Sequence, residues 1–153
     1  MKKLLLLFAI GCMATPALRA QTYTTAIGAK FYTGAPSFGG INIRYSNTEK
    51  TALEGSLLFT SGAVGLEGLY EYQAPISGVN NLQYYVGGGG LLAFGSGYYG
   101  NSTGFALRLT GGVDYKFEDA PIDVSLGLDP FFYLTPATSS YFTIGIGLRY
   151  VLK

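Results

Sequence analysis

From Tyr23 onward, apolar residues recur at every second position, the period of a strand and not the 3.6 of a helix. Gly, Asn, Ser and Pro punctuate the pattern into eight segments. These are Tyr23–Phe31, Ile41–Ser46, Thr51–Phe59, Val64–Tyr72, Leu82–Phe94, Phe105–Phe117, Ile122–Pro130 and Tyr141–Leu152. Most have about nine residues or more, the length at which a tilted strand crosses a bilayer. The pattern predicts an all-β chain of eight antiparallel strands.

Each segment has two distinct faces. One carries Ile27, Ile41, Ile43, Leu53, Leu57, Leu66, Val86, Leu107, Leu109, Val113, Val124, Leu126, Leu128, Ile144, Ile146 and Leu148. The other carries Lys30, Arg44, Glu54, Glu67, Glu71, Arg108, Asp114, Lys116, Asp123, Asp129 and Arg149, separated mostly by Gly, Ala, Ser, Thr and Asn. Alternation alone would also fit a soluble sandwich with one solvated face. Three features separate the two. The polar face is built of small residues, which suits a crowded interior. Its charges nearly balance, five basic against six acidic, as an enclosed low-dielectric space requires. The third feature is the position of the aromatics. Tyr23, Tyr45, Tyr70, Tyr72, Tyr84, Tyr115, Phe117 and Tyr150 fall at the strand ends nearest the termini. Phe31, Phe59, Phe94, Phe105 and Phe142 fall at the opposite ends. Two aromatic belts flanking an aliphatic band are the interfacial girdles of a transmembrane barrel.

Register carries the interior reading further. Keeping polar faces together in "YSNTEKTA" sets Arg44 opposite Glu54. Pairing Phe117 with Ile122 around "EDAP" sets Lys116 opposite Asp123 and leaves Arg108 diagonal to Asp129. Direct cross-strand neighbours lie about 5 Å apart, so opposite charges can pair. Glu67 and Glu71 share a face but lie about 13 Å apart along the strand, too far for a carboxylate dyad. They are expected to join ion pairs, with Asp114 and Arg149 in the same lattice. An eight-stranded barrel is just wide enough to be filled by such side chains. The fold class is thus an eight-stranded antiparallel up-and-down transmembrane β-barrel with a side-chain-filled interior.

Composition agrees. Charged residues are only 12% of the 153, while Gly (23), Tyr (13) and Phe (10) are abundant. No run reaches the ~18 apolar residues of a spanning helix. The N-terminus carries Lys2 and Lys3, then "LLLLFAI", then "TPALRA", the three regions of a secretory signal peptide. Residues 1–20 are expected to be cleaved after Ala20, leaving 21–153 as one barrel domain. "AIGC" offers a competing lipoprotein-like site at Cys12, with Ala9 where Leu is usual. Cleavage after Ala20 would leave seven basic against nine acidic residues, a net charge of −2, and no cysteine. That is no footprint for nucleic acid.

Connections assign the sides less cleanly. Outer loops should exceed inner turns in length. "YTGAPSFGG", "GSGYYGNSTG" and "YLTPATSS" read as long outer loops, "NTEK" and "EDAP" as short inner turns. "TSGA" is short for the outside and "QAPISGVNN" long for the inside.

The whole stretch after the leader resembles small eight-stranded outer-membrane β-barrel proteins of the OmpA/OmpX type, and most of all the short versions found in Bacteroidetes-like bacteria. "LEGLYEYQAPI", "YYVGGGG", "GGVDYKFEDAPIDVSLGLDP" and the closing "GIGLRY" carry the resemblance. "TIGIGLRY" resembles the signal read by the barrel-assembly machinery, although the chain ends in "VLK" and not in an aromatic. The resemblance implies an outer-membrane location, contact with outer-membrane lipid, and no catalytic residue or cofactor. Outer-membrane proteases and lipid A acylases of similar architecture use histidine, and this chain has none. Ser-His-Asp and Cys-His catalysis are excluded on the same ground.

The expected function is a non-enzymatic integral outer-membrane barrel, an anchor or structural component, with any recognition on outer loops through Tyr98, Tyr99 and Asn101. The alternative is a secreted or lipid-tethered soluble β-barrel binding a small apolar ligand. A narrow pore is a third reading; it needs a lumen not blocked by Arg44, Glu54, Arg108 and Asp129.

Overall fold

The computed structural model describes residues 25–34, 37–97 and 100–152. The leader 1–20, Cys12, Tyr23, Tyr98 and Tyr99 lie outside the described residues. Eight strands form: β1 (Thr25–Thr33), β2 (Phe38–Ser46), β3 (Thr51–Thr60), β4 (Ala63–Pro75), β5 (Leu82–Gly97), β6 (Gly100–Lys116), β7 (Ile122–Thr135) and β8 (Ser139–Leu152). They pair antiparallel in chain order and close into a barrel. β1 meets β8 along a full-length seam, from Thr25↔Leu152 to Thr33↔Ile144.

The period-two pattern is what closes the sheet. In β4, Gly65, Glu67, Leu69, Glu71 and Gln73 are buried, while Val64, Leu66, Gly68, Tyr70 and Tyr72 alternate with them on the outside. The same alternation runs round the wall and leaves Ile41, Leu66, Leu109, Leu126, Leu128 and Leu148 exposed. Both aromatic belts face outward too, with Tyr45, Tyr70 and Tyr150 at one end and Phe31, Phe59 and Phe142 at the other. Among the described residues, the exposed charges are Glu49, Lys50, Glu118 and Asp119, all in connections at the terminal end.

The registers read from the two hairpins are those observed: Arg44↔Glu54 between β2 and β3, and Lys116↔Asp123 between β6 and β7. The β6–β7 ladder has irregularities. A bulge falls at Phe105/Ala106, and pairing is interrupted, with the register kept, between Arg108↔Phe131 and Gly111↔Leu128. Pro130 sits in that interval and has no N–H to give to the ladder. Its carbonyl accepts from Arg108 Nη1 at 3.5 Å.

The connections opposite the termini differ from expectation. On either side of Tyr98 and Tyr99, "GSGYYGNSTG" continues the strands, because Gly95↔Ser102, Ser96↔Asn101 and Gly97↔Gly100 are paired. Asn101 therefore lies in β6. Likewise β7 and β8 absorb most of "YLTPATSS", and β1 and β2 most of "YTGAPSFGG". Gly, Ser and Thr read as punctuation in a sequence, yet they continue a strand when a neighbour is present to satisfy their backbone groups. Every connection at the terminal end (47–50, 76–81, 117–121) is at least as long as any at the other end (34–37, 61–62, 98–99, 136–138), so the longer loops expected at the end away from the termini are not found there. At the tight β3–β4 turn, Gly62 takes a left-handed φ of 79°, which costs glycine no Cβ clash.

Candidate functional site

Among the described residues, the buried charged side chains gather in the barrel's interior. Alternation aims Lys30 from β1, Arg44 from β2, Glu54 from β3, and Glu67 and Glu71 from β4 into the lumen. Arg108 and Asp114 point in from β6, Asp123 and Asp129 from β7, and Arg149 from β8, and all ten side chains are buried. Lys116, at the terminal mouth, is half-buried and donates to Gln83 Oε1 at 3.3 Å.

Three arginines organise the charges. Arg149 donates to Glu54 Oε2 at 2.7 Å and to Asp123 Oδ1 at 3.0 Å. Arg44 donates to Asp114 Oδ2 at 2.7 Å and to Gln73 Oε1 at 2.9 Å, and lies 2.9 Å from Glu71 Oε2. Arg108 donates from Nε to Glu67 Oε2 at 2.6 Å, with Nη2 3.4 Å from Asp129 Oδ1. Lys30 pairs with Glu54. Neutral groups extend the lattice: Tyr32 and Ser56 donate to Glu67, and Asn42 bridges Ser56 and Arg149.

Sequence register finds the members of this lattice better than its bonds. Arg44 and Glu54 are cross-strand neighbours, but Arg44's closest acidic contacts reach across the lumen to Glu71 and Asp114 while Glu54 takes Lys30 and Arg149. A guanidinium is long, and in a narrow tube the opposite wall is as near as the next strand. The Arg108–Asp129 contact is the diagonal one that the register implies.

Part of the interior's packing escapes the sequence reading. Lys30 lies on the charged face, but its pairing with Glu54 spans two strands. Tyr32 and Phe131 continue the inward periods of Lys30 and Asp129, beyond the points where the segments were ended at Phe31 and Pro130. Carrying the period past the proline would have found Phe131. Both rings flank Arg108, whose Cζ lies 3.2 Å from the Phe131 centroid and 4.8 Å from that of Tyr32. Tyr32, Leu58, Leu91, Ala106 and Phe131 form a buried cluster, with Phe38 and Tyr133 packed on it. It fills the lumen at the end away from the termini. In the other half, beside the ion pairs, the Tyr85 hydroxyl occupies the space that a Cβ at Gly127 would need, and its ring lies 5.6 Å from Arg44 Cζ.

The site is therefore a packed interior of paired charges and not a cleft. Every buried carboxylate in it has a basic side chain beside it, the condition under which buried charge is tolerated.

No family model and no curated protein matches the chain. Solved structures do. The N-terminal β-barrel domain of Pseudomonas aeruginosa OprF superposes with a TM-score of 0.68 at 18% identity, over 86% of this chain and 100% of that one. Neisserial surface protein A, NspA, superposes with a TM-score of 0.59 at 14% identity, over 85% of this chain and 96% of that one. At such identities the likeness is one of fold. Closed, eight-stranded, apolar without and ionic within, the chain has the fold of the small outer-membrane β-barrels of the OmpA/OmpX type.

Proposed function

We propose that this protein is an integral outer-membrane β-barrel, exported by the 1–20 leader, that serves as a non-enzymatic anchor or structural component. The observation that carries this is the inversion of the wall: aliphatic side chains and two aromatic belts face out, and the strand charges face in. Water would penalise that exterior, since soluble proteins rarely expose large contiguous apolar patches; a hydrocarbon layer stabilises it. The end opposite the termini would face the exterior of the cell. Outer-membrane lipid is then the main partner, and the barrel-assembly machinery a transient one acting on β8. A soluble carrier of an apolar ligand needs the reverse arrangement, apolar side chains inward.

The test is extraction. Membranes washed with urea should retain the protein, and the folded form should migrate differently on a gel before and after boiling. Release by urea together with an unchanged mobility would refute the reading. The ionic lattice and the aromatic cluster obstruct the lumen in series, so purified protein in planar bilayers should give no sustained conductance.

A further inference from the structure

The inward-facing strand charges do not cancel. Among the described residues they number five basic, Lys116 at the mouth included, against six acidic. The wall around them is closed. A buried carboxylate that no cation matches is costly, and such a group neutralises by keeping its proton. One interior acid is in excess, and hydrogen bonding singles it out.

Glu71 is fully buried, and neither of its carboxyl oxygens accepts a hydrogen bond from the described residues. The register explains this. Its cross-strand neighbours are Ala52 on β3 and Gly87 on β5, which bring no side-chain donor. Next along β4, Gln73 is engaged elsewhere: Oε1 accepts from Arg44, and Nε2 donates to the Glu49 carbonyl at 3.4 Å. Arg44 Nη2 lies 2.9 Å from Glu71 Oε2 but without the alignment of a hydrogen bond, and Arg44 Nη1 donates to Asp114 of β6. The other charges that face Glu71 are committed. Lys30 from β1 and Arg149 from β8 both pair with Glu54 of β3, itself a negative neighbour of Glu71. Arg149 also holds Asp123 of β7. From β5, the phenol of Tyr85 approaches. Glu54 and Glu67, by contrast, have both oxygens bonded.

We propose that Glu71 is the neutral member of this lattice, an un-ionised carboxylic acid holding the one proton by which the charges of the lumen balance. The five remaining acids then match the five bases, and Arg44 meets Glu71 as a charge beside a dipole. The consequence is a linkage to pH. In the unfolded chain Glu71 meets water, where a glutamate ionises near pH of about 4.3. A folded state that keeps one proton more than the unfolded state loses stability as pH rises. Ionisation of Glu71 sets an unmatched negative charge beside Glu54.

Infrared spectra of the protein folded in a detergent without ester groups separate the C=O stretch of an un-ionised carboxyl group from the bands of carboxylates. At neutral pH the wild type should show that stretch, and Glu71→Gln should lack it. Urea unfolding gives a second readout. At neutral pH, Glu71→Gln and the apolar Glu71→Met should keep the wild-type midpoint, whereas Glu54→Gln lowers it. From about pH 5 up to neutral, above the range in which an exposed glutamate ionises, the wild-type midpoint should fall relative to that of Glu71→Gln. Absence of the un-ionised stretch from the wild type would overturn the proposal, and a midpoint that rises with potassium concentration would then assign the balancing charge to a bound cation. A stretch that survives in Glu71→Gln would overturn it by placing the proton on another acid. So would midpoints for Glu71→Gln and Glu71→Met as low as that of Glu54→Gln.

Discussion

The two halves of the lumen solve the same packing problem with different chemistry. Toward the termini, Arg44, Arg149, Glu54, Glu71, Asp114 and Asp123 hold each other by charge across the tube. Toward the far end, Tyr32, Leu58, Leu91, Ala106 and Phe131 fill it by contact. Arg108 belongs to both, bonded to Glu67 below and stacked on Phe131 above. The ionic half is directional: each member needs its partners in place, and losing one strands the others. The apolar half is not, and a ring can be exchanged for another side chain of similar volume.

That contrast orders the expected effects of substitution. Arg149→Ala should be the most damaging, costing about 3–5 kcal/mol, because it leaves Asp123 and one side of Glu54 buried without their arginine. Urea unfolding from lipid vesicles, followed by the heat-dependent gel shift, would measure it. If Arg149→Ala cost no more than Leu58→Met, the distinction between the halves would fail. Gly127→Ala should cost about 1–3 kcal/mol by overpacking against the Tyr85 hydroxyl, and adding Tyr85→Phe should recover part of that loss in the same assay. Without such recovery, the clash lies elsewhere, and tight packing in the ionic half is not centred on Tyr85. Leu58→Met in the apolar half should cost less than about 1.5 kcal/mol as a volume-conserving change. Glu118→Gln, in an exposed turn where Glu118 accepts from Asn81 at 2.6 Å, should leave the unfolding midpoint unchanged, since exposed pairs contribute little.

The ionic half was more legible than the apolar half. Charge recurring at every second position is visible in any strand, and "DYKFEDAPIDV" fixes its own register through a short turn. Which arginine meets which carboxylate was not legible, because that depends on the diameter of the closed tube. The apolar half was missed because its key residues, Tyr32 and Phe131, look in sequence like the outward aromatics beside them. Phe31 and Tyr32 are adjacent and face opposite ways, as do Phe131 and Phe132. Only phase, carried through Pro130, separates them. The outer rim was misread for a third reason. Gly97 and Gly100 pair across a two-residue connection, and isolated glycines carry no sign of whether a partner strand lies alongside.

The position of Glu54 bears on how the chain reaches this state. Lys30 of β1 and Arg149 of β8 both end on this one carboxylate of β3. The seam between the first and last strands therefore has its polar clasp on a third strand. Closing a loop of more than a hundred residues carries a large entropic cost, and here the compensating ion pairs exist only once β3 already stands in the wall beside β2. Loss of the Glu54 carboxylate would thereby take one acidic partner from a cation of each terminal strand at once.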